Sequence, residues 1–300
     1  QQLGQLHADC YRQARSTATD PAAGLSHPAQ QTRTDSTQVL KANASRVQEA
    51  LRVVEEFART VDADLARTAA SVRYGLYDHE VRILEACGQN SRRQQLERSK
   101  LCLITDPCGS DGSAEMLNRV ELALKAGVSL VQYRRKLGTD ALRLQEARQL
   151  AELCQAHQAL LIINDRIDLA LLVDADGVHL GQDDLPQAAA RQLMGPEKLI
   201  GRSTHQLAQL EKAQQDGADY LGVGAVYATA TKADRTAAGL DWVREASGSA
   251  KLPWFAIGGI NGNNLAEVQK AGASRVAVVS AIMGASDPAA AARQLLTQLG

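Results

Sequence analysis

Eight short apolar segments after Lys100 constrain the fold of this chain more than any other feature of its sequence. The segments are 101–105, 129–133, 159–163, 177–180, 199–201, 220–224, 254–257 and 276–279. Nearly all are followed by sequence compatible with a helix, which is typical of parallel strands buried on both faces. Residues 101–300 supply the roughly 200 residues that a closed barrel needs. We therefore predict an α/β fold, a (β/α)8 TIM barrel, with an open doubly wound sheet as the alternative.

The sequence before Lys100 follows a different pattern. Apolar residues recur at helical spacing over residues 47–58 and 70–84, which predicts a small all-α segment of two amphipathic helices ahead of the barrel. Residues 16–38 have no period, and we expect an exposed connection there. The stretch 89–100 is polar, so we place the domain boundary within it, with a helical domain over 1–95 and the barrel over 96–300. Because the chain starts at Gln1, we expect the helical domain to be truncated.

Charge and cysteine content narrow the class of protein. The chain has 33 basic and 34 acidic residues and a net charge of −1, which argues against a general nucleic-acid or membrane surface. We expect small-molecule partners, no nucleic acid and no membrane, and leave open a homo-oligomer. Five scattered cysteines predict reduced thiols in a cytoplasmic protein, and no stretch approaches a membrane span.

Two aspartates follow neighbouring predicted strands. Asp165 comes directly after the third segment, and Asp184 comes shortly after the fourth. Carboxylates at the carboxyl ends of successive strands can share one hard cation, and Mg²⁺ often takes only one or two carboxylates and completes its shell with water and phosphate. We therefore predict that Asp165 and Asp184 bind Mg²⁺. A helix cap is the alternative for Asp165, and four nearby aspartates compete for the assignment: Asp168, Asp174, Asp176 and Asp183.

Polar residues at the ends of other segments predict two anion sites. Gln132, Arg134 and Lys136 alternate after the second segment, which can aim all three at the barrel mouth, where an Arg fork and a Lys charge suit phosphate. Surface ion pairs are the alternative. The loop 222–232 resembles an anion cradle, with Thr229 and Thr231 for one phosphate and Lys232 for another.

The loops after the seventh and eighth segments carry Gly258-Gly259 and Val279-Ser280. Such loops form the usual phosphate site of these barrels, whereas glycines in a simple tight turn are the alternative. His205 follows the fifth segment; we predict a hydrogen-bonded structural histidine there, with a role as an acid or base as the alternative. With one anion site linked to the metal and one not, the sequence predicts a condensation between a diphosphate and a monophosphate.

This ordered set of residues resembles the thiamine-phosphate synthase family over essentially all of residues 101–300. The resemblance implies a transferase of thiamine biosynthesis that joins 4-amino-2-methyl-5-hydroxymethylpyrimidine diphosphate to a thiazole phosphate and releases pyrophosphate. It implies that the pyrimidine diphosphate is bound by Gln132, Tyr133, Arg134, Arg135, Lys136, Asn164, Ser203 and Lys232, of which Arg134, Lys136 and Lys232 are catalytic. It implies that the thiazole phosphate is bound by Thr229, Ala230, Thr231, Gly259, Val279 and Ser280, and Mg²⁺ by Asp165 and Asp184.

Three positions depart from the family pattern. Ala225 and Ala228 stand where prolines are usual, so we expect a looser cradle, and Arg135 stands where an acid is usual, so we expect added positive charge near the diphosphate. Residues 43–57 resemble the helical domain fused ahead of some family members, and the absence of a similar earlier helix supports truncation. The same helix carries Asn43, Arg46, Glu49 and Arg52 on one face, which we interpret as solvated or self-associating.

Two other functions fit parts of this pattern. A thiazole tautomerase on the same barrel needs His205 and the phosphate loops but not the diphosphate-binding residues. A non-catalytic ligand-binding regulator, with the helical segment as an interaction module, does not need the metal pair. Because this chain retains Arg134, Lys136, Asn164 and Lys232 together with both aspartates, we favour the synthase.

Overall fold

A computed structural model of the chain describes residues 36–105, 112–228 and 237–300. Eight parallel strands form one closed barrel in sequence order. They are β1 (Leu101–Ile104), β2 (Leu130–Tyr133), β3 (Leu160–Asn164), β4 (Gly177–Leu180), β5 (Leu199–Thr204), β6 (Tyr220–Gly224), β7 (Trp254–Ile257) and β8 (Val276–Val278). The barrel closes between β1 and β8, where Cys102 pairs with Ala277. The predicted barrel is confirmed, and the pairing excludes the open sheet.

Helices follow the strands along the described chain. They are α3 (Gly112–Lys125), α4 (Asp140–Ala156), α5 (Ile167–Leu172), α6 (Gln187–Met194), α7 (Leu207–Gln215), α8 (Gly239–Ser249), α9 (Leu265–Lys270), α10 (Ser280–Met283) and α11 (Pro288–Leu299). Local sequence sets some of their ends: Thr139 accepts a hydrogen bond from Leu142 N at the start of α4, and Asp287 accepts one from Ala290 N ahead of Pro288 in α11.

Side chains alternate along each strand between two apolar layers. Those facing outward, such as Leu103, Val131 and Leu161, pack in the large layer between the barrel and the helices. The layer inside the barrel is smaller and contains Cys102, Ile104, Leu130, Leu160, Ile162, Leu199, Tyr220, Phe255 and Ala277 together with Leu96. The alternation decides which residues after each strand reach the barrel mouth.

Leu96 fills the N-terminal end of the barrel. Its side chain is 1% exposed and packs in the inner layer with Leu130, Leu160 and Leu199, which are the first residues of three strands. Leu96 does not belong to a strand; it lies in the last turns of α2 (Ala63–Arg98). A residue that precedes β1 is therefore part of the barrel core.

The polar stretch 89–100, within which we placed the domain boundary, is helical as far as Arg98. α2 continues to Arg98, and its polar side chains pair with acids of the same compact unit, Gln89–Gly300. Arg93 Nη2 lies 2.6 Å from Asp219 Oδ1, and Arg92 Nε lies 2.9 Å from Asp176 Oδ1. Polar composition here reflects ion pairs and not an exposed connection. The boundary between compact units lies after Gly88, ahead of the predicted boundary after residue 95.

The first unit, Gln1–Gly88, contains α1 (Ser36–Ala58) and the start of α2, which confirms the two predicted helices. Residues 36–38, predicted to lie in a connection, belong to α1, and the rest of that connection, 16–35, lies outside the described residues. The face with Asn43, Arg46, Glu49 and Arg52 is exposed. Among the described helices, none is long and apolar enough to cross a membrane.

Candidate active site

A cavity of about 310 Å³ opens at the C-terminal end of the barrel and reaches the inner layer. Its lining includes the predicted site residues Gln132, Arg134, Asn164, Ser203, Gly259, Val279 and Ser280. They lie on or shortly after five different strands, so residues separated by more than one hundred positions in sequence share one space. The structure thus brings together residues predicted for both substrates.

The alternation of β2 directs Gln132 and Arg134 into this cavity. Arg134 is 7% exposed, and its backbone is held by Thr105: Arg134 N donates to Thr105 Oγ1 at 2.9 Å, and Thr105 Oγ1 donates to Arg134 O at 3.3 Å. Lys136 is exposed and lies beyond the cavity lining; its carbonyl accepts from Arg143 Nη2 at 2.8 Å. The predicted inward direction fits Gln132 and Arg134, while substrate binding by all three stays a prediction.

Tyr133 and Arg135 face away from the cavity, toward Glu146 of α4. Arg135 Nε and Nη2 donate to Glu146 Oε2 and Oε1 at 2.7 and 2.8 Å, and Tyr133 Oη donates to Oε2 at 2.7 Å. Because strand side chains alternate, the neighbours of two inward residues point outward. The assignment of these two side chains to the pyrimidine diphosphate does not fit this position. The extra positive charge expected near the diphosphate is instead neutralised by Glu146.

Burial and hydrogen bonds within this outward cluster shift the pKa values of its members. Burial raises the pKa of Glu146, but hydrogen bonds from Arg135, Ser113 and Tyr133 outweigh it and hold the pKa below its ordinary value. Burial and the hydrogen bond to Glu146 raise the pKa of Tyr133, and the hydrogen bond to Glu146 raises that of Arg135. Arg135, Glu146 and Tyr133 therefore form a charged structural cluster that binds β2 to α4.

The two predicted metal ligands follow the adjacent strands β3 and β4. Asp165 has φ +62°, in the left-handed region, and its N–H donates to His179 O at 2.9 Å, which joins the two strand ends. Asp184 Oδ2 accepts from Gly181 N at 2.6 Å. The alternative of a helix cap does not fit Asp165, because Arg166 is the N-cap of α5 and provides no side-chain cap bond.

The other aspartates nearby have different partners. Asp168 pairs with Arg166, Asp174 with Lys198, and Asp176 with Arg92. Within the described residues, no group of three or more histidine, cysteine, aspartate or glutamate side chains could hold a metal ion. Two carboxylates without a third protein ligand fit Mg²⁺ that also binds water and substrate phosphate. Mg²⁺ binding by Asp165 and Asp184 stays a prediction.

The glycine pair after β7 contacts the start of the loop after β6. Gly258 has φ +111°, and a Cβ there would lie 2.7 Å from Ala225 Cβ; at Gly259, with φ +65°, it would lie 2.8 Å from Tyr227 Cβ. The loop is also held by the backbone bonds Val226 N to Ile257 O and Tyr227 N to Gly258 O, at 2.8 and 3.0 Å. These glycines permit close packing of two loops, and hydrogen bonds hold the backbone of Ala225, Val226 and Tyr227. Thr229, Ala230, Thr231 and Lys232 lie outside the described residues.

His205 lines the cavity but makes structural bonds. Its Nδ1 hydrogen-bonds Gly224 O, and its backbone N–H donates to Gln209 Oε1 at 2.8 Å. This agrees with the interpretation of a hydrogen-bonded structural histidine.

Two cavity residues were not assigned from the sequence. His179 and Tyr220 line the inner end of the cavity and hydrogen-bond each other, with Nδ1 and Oη 3.1 Å apart. His179 lies in the predicted strand 177–180, and its inward position in β4 was the available signal. Tyr220 begins β6, and an aromatic residue at that position gave no functional signal by itself.

Known proteins resemble this chain along its whole length. A family model described as thiamine monophosphate synthase matches residues 101–282. A thiamine-phosphate synthase of Synechococcus sp. (strain WH7803) is 71% identical over 299 residues, which are 100% of this chain and 85% of the relative. The chain belongs to the thiamine-phosphate synthase family. The family resemblance and the synthase function predicted from the sequence are confirmed.

Further relatives and solved structures agree with membership of the thiamine-phosphate synthase family. A thiamine-phosphate synthase of Synechocystis sp. (strain ATCC 27184 / PCC 6803 / Kazusa) is 48% identical over 100% of this chain and 84% of its own length. Thiamine phosphate pyrophosphorylase from Pyrococcus furiosus superposes with a TM-score of 0.61 at 37% identity, covering 69% of this chain and 96% of its own. A 3-hexulose-6-phosphate synthase, with a TM-score of 0.52 at 20% identity, shares the fold alone.

The front of the chain matches a second model, the ThiD2 family, over residues 1–82. This agrees with the resemblance of residues 43–57 to a helical domain that precedes the synthase in some family members.

Proposed function

We propose that this member of the family condenses 4-amino-2-methyl-5-hydroxymethylpyrimidine diphosphate with a thiazole monophosphate, and releases pyrophosphate as thiamine phosphate forms. One observation carries the proposal. A single cavity is lined on one side by Gln132, Arg134, Asn164 and Ser203 and on another by Gly259, Val279 and Ser280. Two phosphorylated substrates held at opposite sides of one cavity can react without diffusing apart.

Arg134 is the main charged group on the diphosphate side. Its guanidinium offers a fork of donors to phosphate oxygens, and its burial makes each such interaction stronger than it would be in water. Asn164 and Ser203 add neutral polar groups beside it. As the pyrophosphate departs, charge accumulates on its oxygens, so donors fixed there in advance favour bond cleavage.

Asp165 and Asp184 are the residues that would hold Mg²⁺, since they follow adjacent strands at the cavity end of the barrel. Bound Mg²⁺ would neutralise charge on the leaving pyrophosphate. Asp184 accepts the Gly181 N–H, which limits its rotation, and the Asp165 backbone is joined to β4. Both carboxylates are thus attached to a rigid strand end, as a metal site requires.

The thiazole phosphate side relies on small residues. Gly259, Val279 and Ser280 bring backbone groups and one hydroxyl to the cavity without bulky side chains. Backbone N–H groups in glycine-containing turns are suited to anions. A monophosphate bound there would leave the thiazole ring to face the pyrimidine methylene carbon.

Pyrophosphate release tests the function. The full chain is incubated with both substrates, with each alone, and with MgCl₂ or EDTA. We expect pyrophosphate and thiamine phosphate in equal amounts only when both substrates and Mg²⁺ are present. Pyrophosphate without the thiazole phosphate would indicate a hydrolase, and proton exchange on the thiazole phosphate alone would indicate a tautomerase. Binding of both substrates without any product would support the regulator.

A further inference from the structure

Three side chains inside the barrel form a hydrogen-bonded chain that ends at the cavity. Tyr220 Oη lies 3.1 Å from His179 Nδ1, and His179 Nε2 lies 2.9 Å from Ser203 Oγ. His179 is 8% exposed and Tyr220 is 3% exposed. They come from β4, β5 and β6, three consecutive strands, and their ends all face the same cavity.

Two glycines leave room for these hydrogen-bonded side chains. A Cβ at Gly201 would lie 2.1 Å from Tyr220 Cζ and 2.6 Å from His179 Nδ1, so no side chain fits at that position of β5. A Cβ at Gly222 would lie 3.2 Å from His179 Cε1, which is also close. Glycine inside a strand weakens that strand, because it has no side chain to pack and loses more backbone freedom on folding. The strands accept two such positions around one imidazole, which points to a role for that ring beyond filling space.

The surroundings of Tyr220 indicate which atoms donate in these hydrogen bonds. Burial raises the pKa of Tyr220, so the phenol stays protonated and can act as a hydrogen-bond donor. The Tyr220 hydroxyl proton is then available to His179 Nδ1. A neutral imidazole that accepts at Nδ1 carries its proton at Nε2. In that tautomer Nε2–H would donate to Ser203 Oγ, 2.9 Å away, and the serine would keep its own proton to donate to a ligand.

We propose that His179 is a positioning residue: Tyr220 holds it as the Nε2–H tautomer, and it fixes the Ser203 hydroxyl as a hydrogen-bond donor to the pyrimidine diphosphate. This inference rests on the proposed function, because Ser203 lies on the side of the cavity assigned to that substrate. His179 itself acts through Ser203 and needs no contact with the reacting atoms. Its loss should therefore weaken use of the pyrimidine diphosphate and not of the thiazole phosphate.

The tautomer can be measured without substrate. In the full chain labelled with ¹⁵N-histidine, the His179 signals are identified by their absence in His179→Gln. We expect chemical shifts of a neutral ring protonated at Nε2, and loss of that single tautomer in Tyr220→Phe. A ring protonated at Nδ1 in the unmodified chain would overturn the proposed direction. Because no substrate is needed, this result stands even if the proposed reaction is wrong.

Kinetics test whether the Ser203 hydroxyl, held as a donor by His179, contributes to use of the pyrimidine diphosphate. A hydrogen bond to a charged group contributes about tenfold to a hundredfold in kcat/KM, and we expect that loss for the pyrimidine diphosphate in His179→Leu, with the KM of the thiazole phosphate unchanged. His179→Gln, whose amide N–H can replace Nε2–H, should recover most of the loss. His179→Leu combined with Ser203→Ala should be no worse than Ser203→Ala alone.

Three results would contradict the proposal: additive losses in the double variant, equal loss for both substrates, or no recovery with glutamine in a variant that unfolds at the same temperature as the unmodified protein. If His179→Leu fails to fold, the comparison of Tyr220→Phe with the unmodified chain provides the same test, because the change removes only one hydroxyl. Absence of pyrophosphate release by the unmodified chain would contradict the proposed function and leave the tautomer result intact.

Discussion

Arg135 and Glu146 form a buried, two-bond ion pair on the outer face of the barrel wall, with Nε–Oε2 and Nη2–Oε1 distances of 2.7 and 2.8 Å. The Glu146 side chain is fully buried, at 0% exposed. Arg134, one position earlier, faces the cavity. Two adjacent arginines therefore have different environments: Arg135 pairs with a buried acid, and Arg134 lines the cavity.

This difference predicts opposite effects for two matched substitutions. Arg134→Gln should lower kcat/KM for the pyrimidine diphosphate about tenfold to a hundredfold, since it removes a charged donor, with little change in melting temperature. Arg135→Gln should destabilise the fold by about 3–5 kcal/mol, because it leaves Glu146 buried without its cation, and activity per folded molecule should be kept. Pyrophosphate assays and thermal unfolding of both variants check this. A large rise in KM with Arg135→Gln and none with Arg134→Gln would reverse the assignment.

The lowered pKa of Glu146 predicts acid sensitivity. A carboxyl whose folded pKa lies below its ordinary value of 4.5 stabilises the fold fully above that value, and the contribution is lost as the pH falls through the folded pKa. Urea unfolding of the unmodified chain and of Glu146→Gln should therefore show a constant difference in unfolding free energy above about pH 5 and a shrinking one below it. A difference that stays constant down to pH 3.5 would mean that Glu146 does not titrate in this range.

Removal of either predicted metal ligand should abolish Mg²⁺-dependent turnover. Asp165→Asn and Asp184→Asn each remove one negative charge while keeping the side-chain shape, so we expect turnover at ordinary Mg²⁺ concentrations to be lost and partly restored at high MgCl₂. Asp174→Asn is the matched control, because Asp174 pairs with Lys198 and is exposed. Pyrophosphate release is measured against MgCl₂ concentration. Unchanged Mg²⁺ dependence in both site variants would remove these residues from the metal site.

The position of Leu96 predicts where the barrel can be separated from the front of the chain. A fragment 89–300 should fold and catalyse, whereas 101–300, which has all eight strands, should be unstable because it lacks Leu96 and the pairs of Arg92 and Arg93. Leu96→Ala in the full chain should cost about 2–5 kcal/mol. Circular dichroism and turnover of both fragments decide the matter. Equal stability of the two would show that the helix end is dispensable.

The close contact at Gly258 predicts a sensitive glycine. Gly258→Ala should impair folding or turnover, because φ +111° disfavours any side chain and the new Cβ would meet Ala225. Gly248→Ala is the control: a Cβ at that helical position meets nothing within 4 Å, and alanine there should stabilise by up to about 1 kcal/mol. Melting temperature and pyrophosphate release are compared for the two. If both behave alike, the loop contact is not tight.

The apolar segments were sufficient to predict the barrel. All eight are strands, and three of them, Gly177–Leu180, Tyr220–Gly224 and Trp254–Ile257, have the predicted bounds. A short apolar run between polar turns has few alternatives in a chain of this length, and alternation then decided that Gln132 and Arg134 face inward. The same alternation, applied to the next residues, would have directed Tyr133 and Arg135 outward.

Other features depend on contacts that no local pattern contains. Leu96 is one apolar residue in a polar stretch, and only the closed barrel provides the interior that it fills. The bond between His179 and Tyr220 joins residues 41 positions apart, and its meaning comes from Gly201 leaving room for both. Polar sequence can indicate a linker or a set of ion pairs, and the difference lies in the partners, here Asp176 and Asp219.

Because α2 places Leu96 in the barrel interior, the helix that precedes the first strand must have a fixed rotation about its own axis. A helix that must insert one side chain at the N-terminal end of the barrel cannot be lengthened or shortened by one residue without rotating that side chain by about 100° away from the axis. Insertions before Ser99 would therefore be tolerated only if they lie before Gln89 in the sequence. The number of helical residues between Gln89 and Arg98 sets the direction of the Leu96 side chain. It therefore constrains this barrel as the register of its strands does.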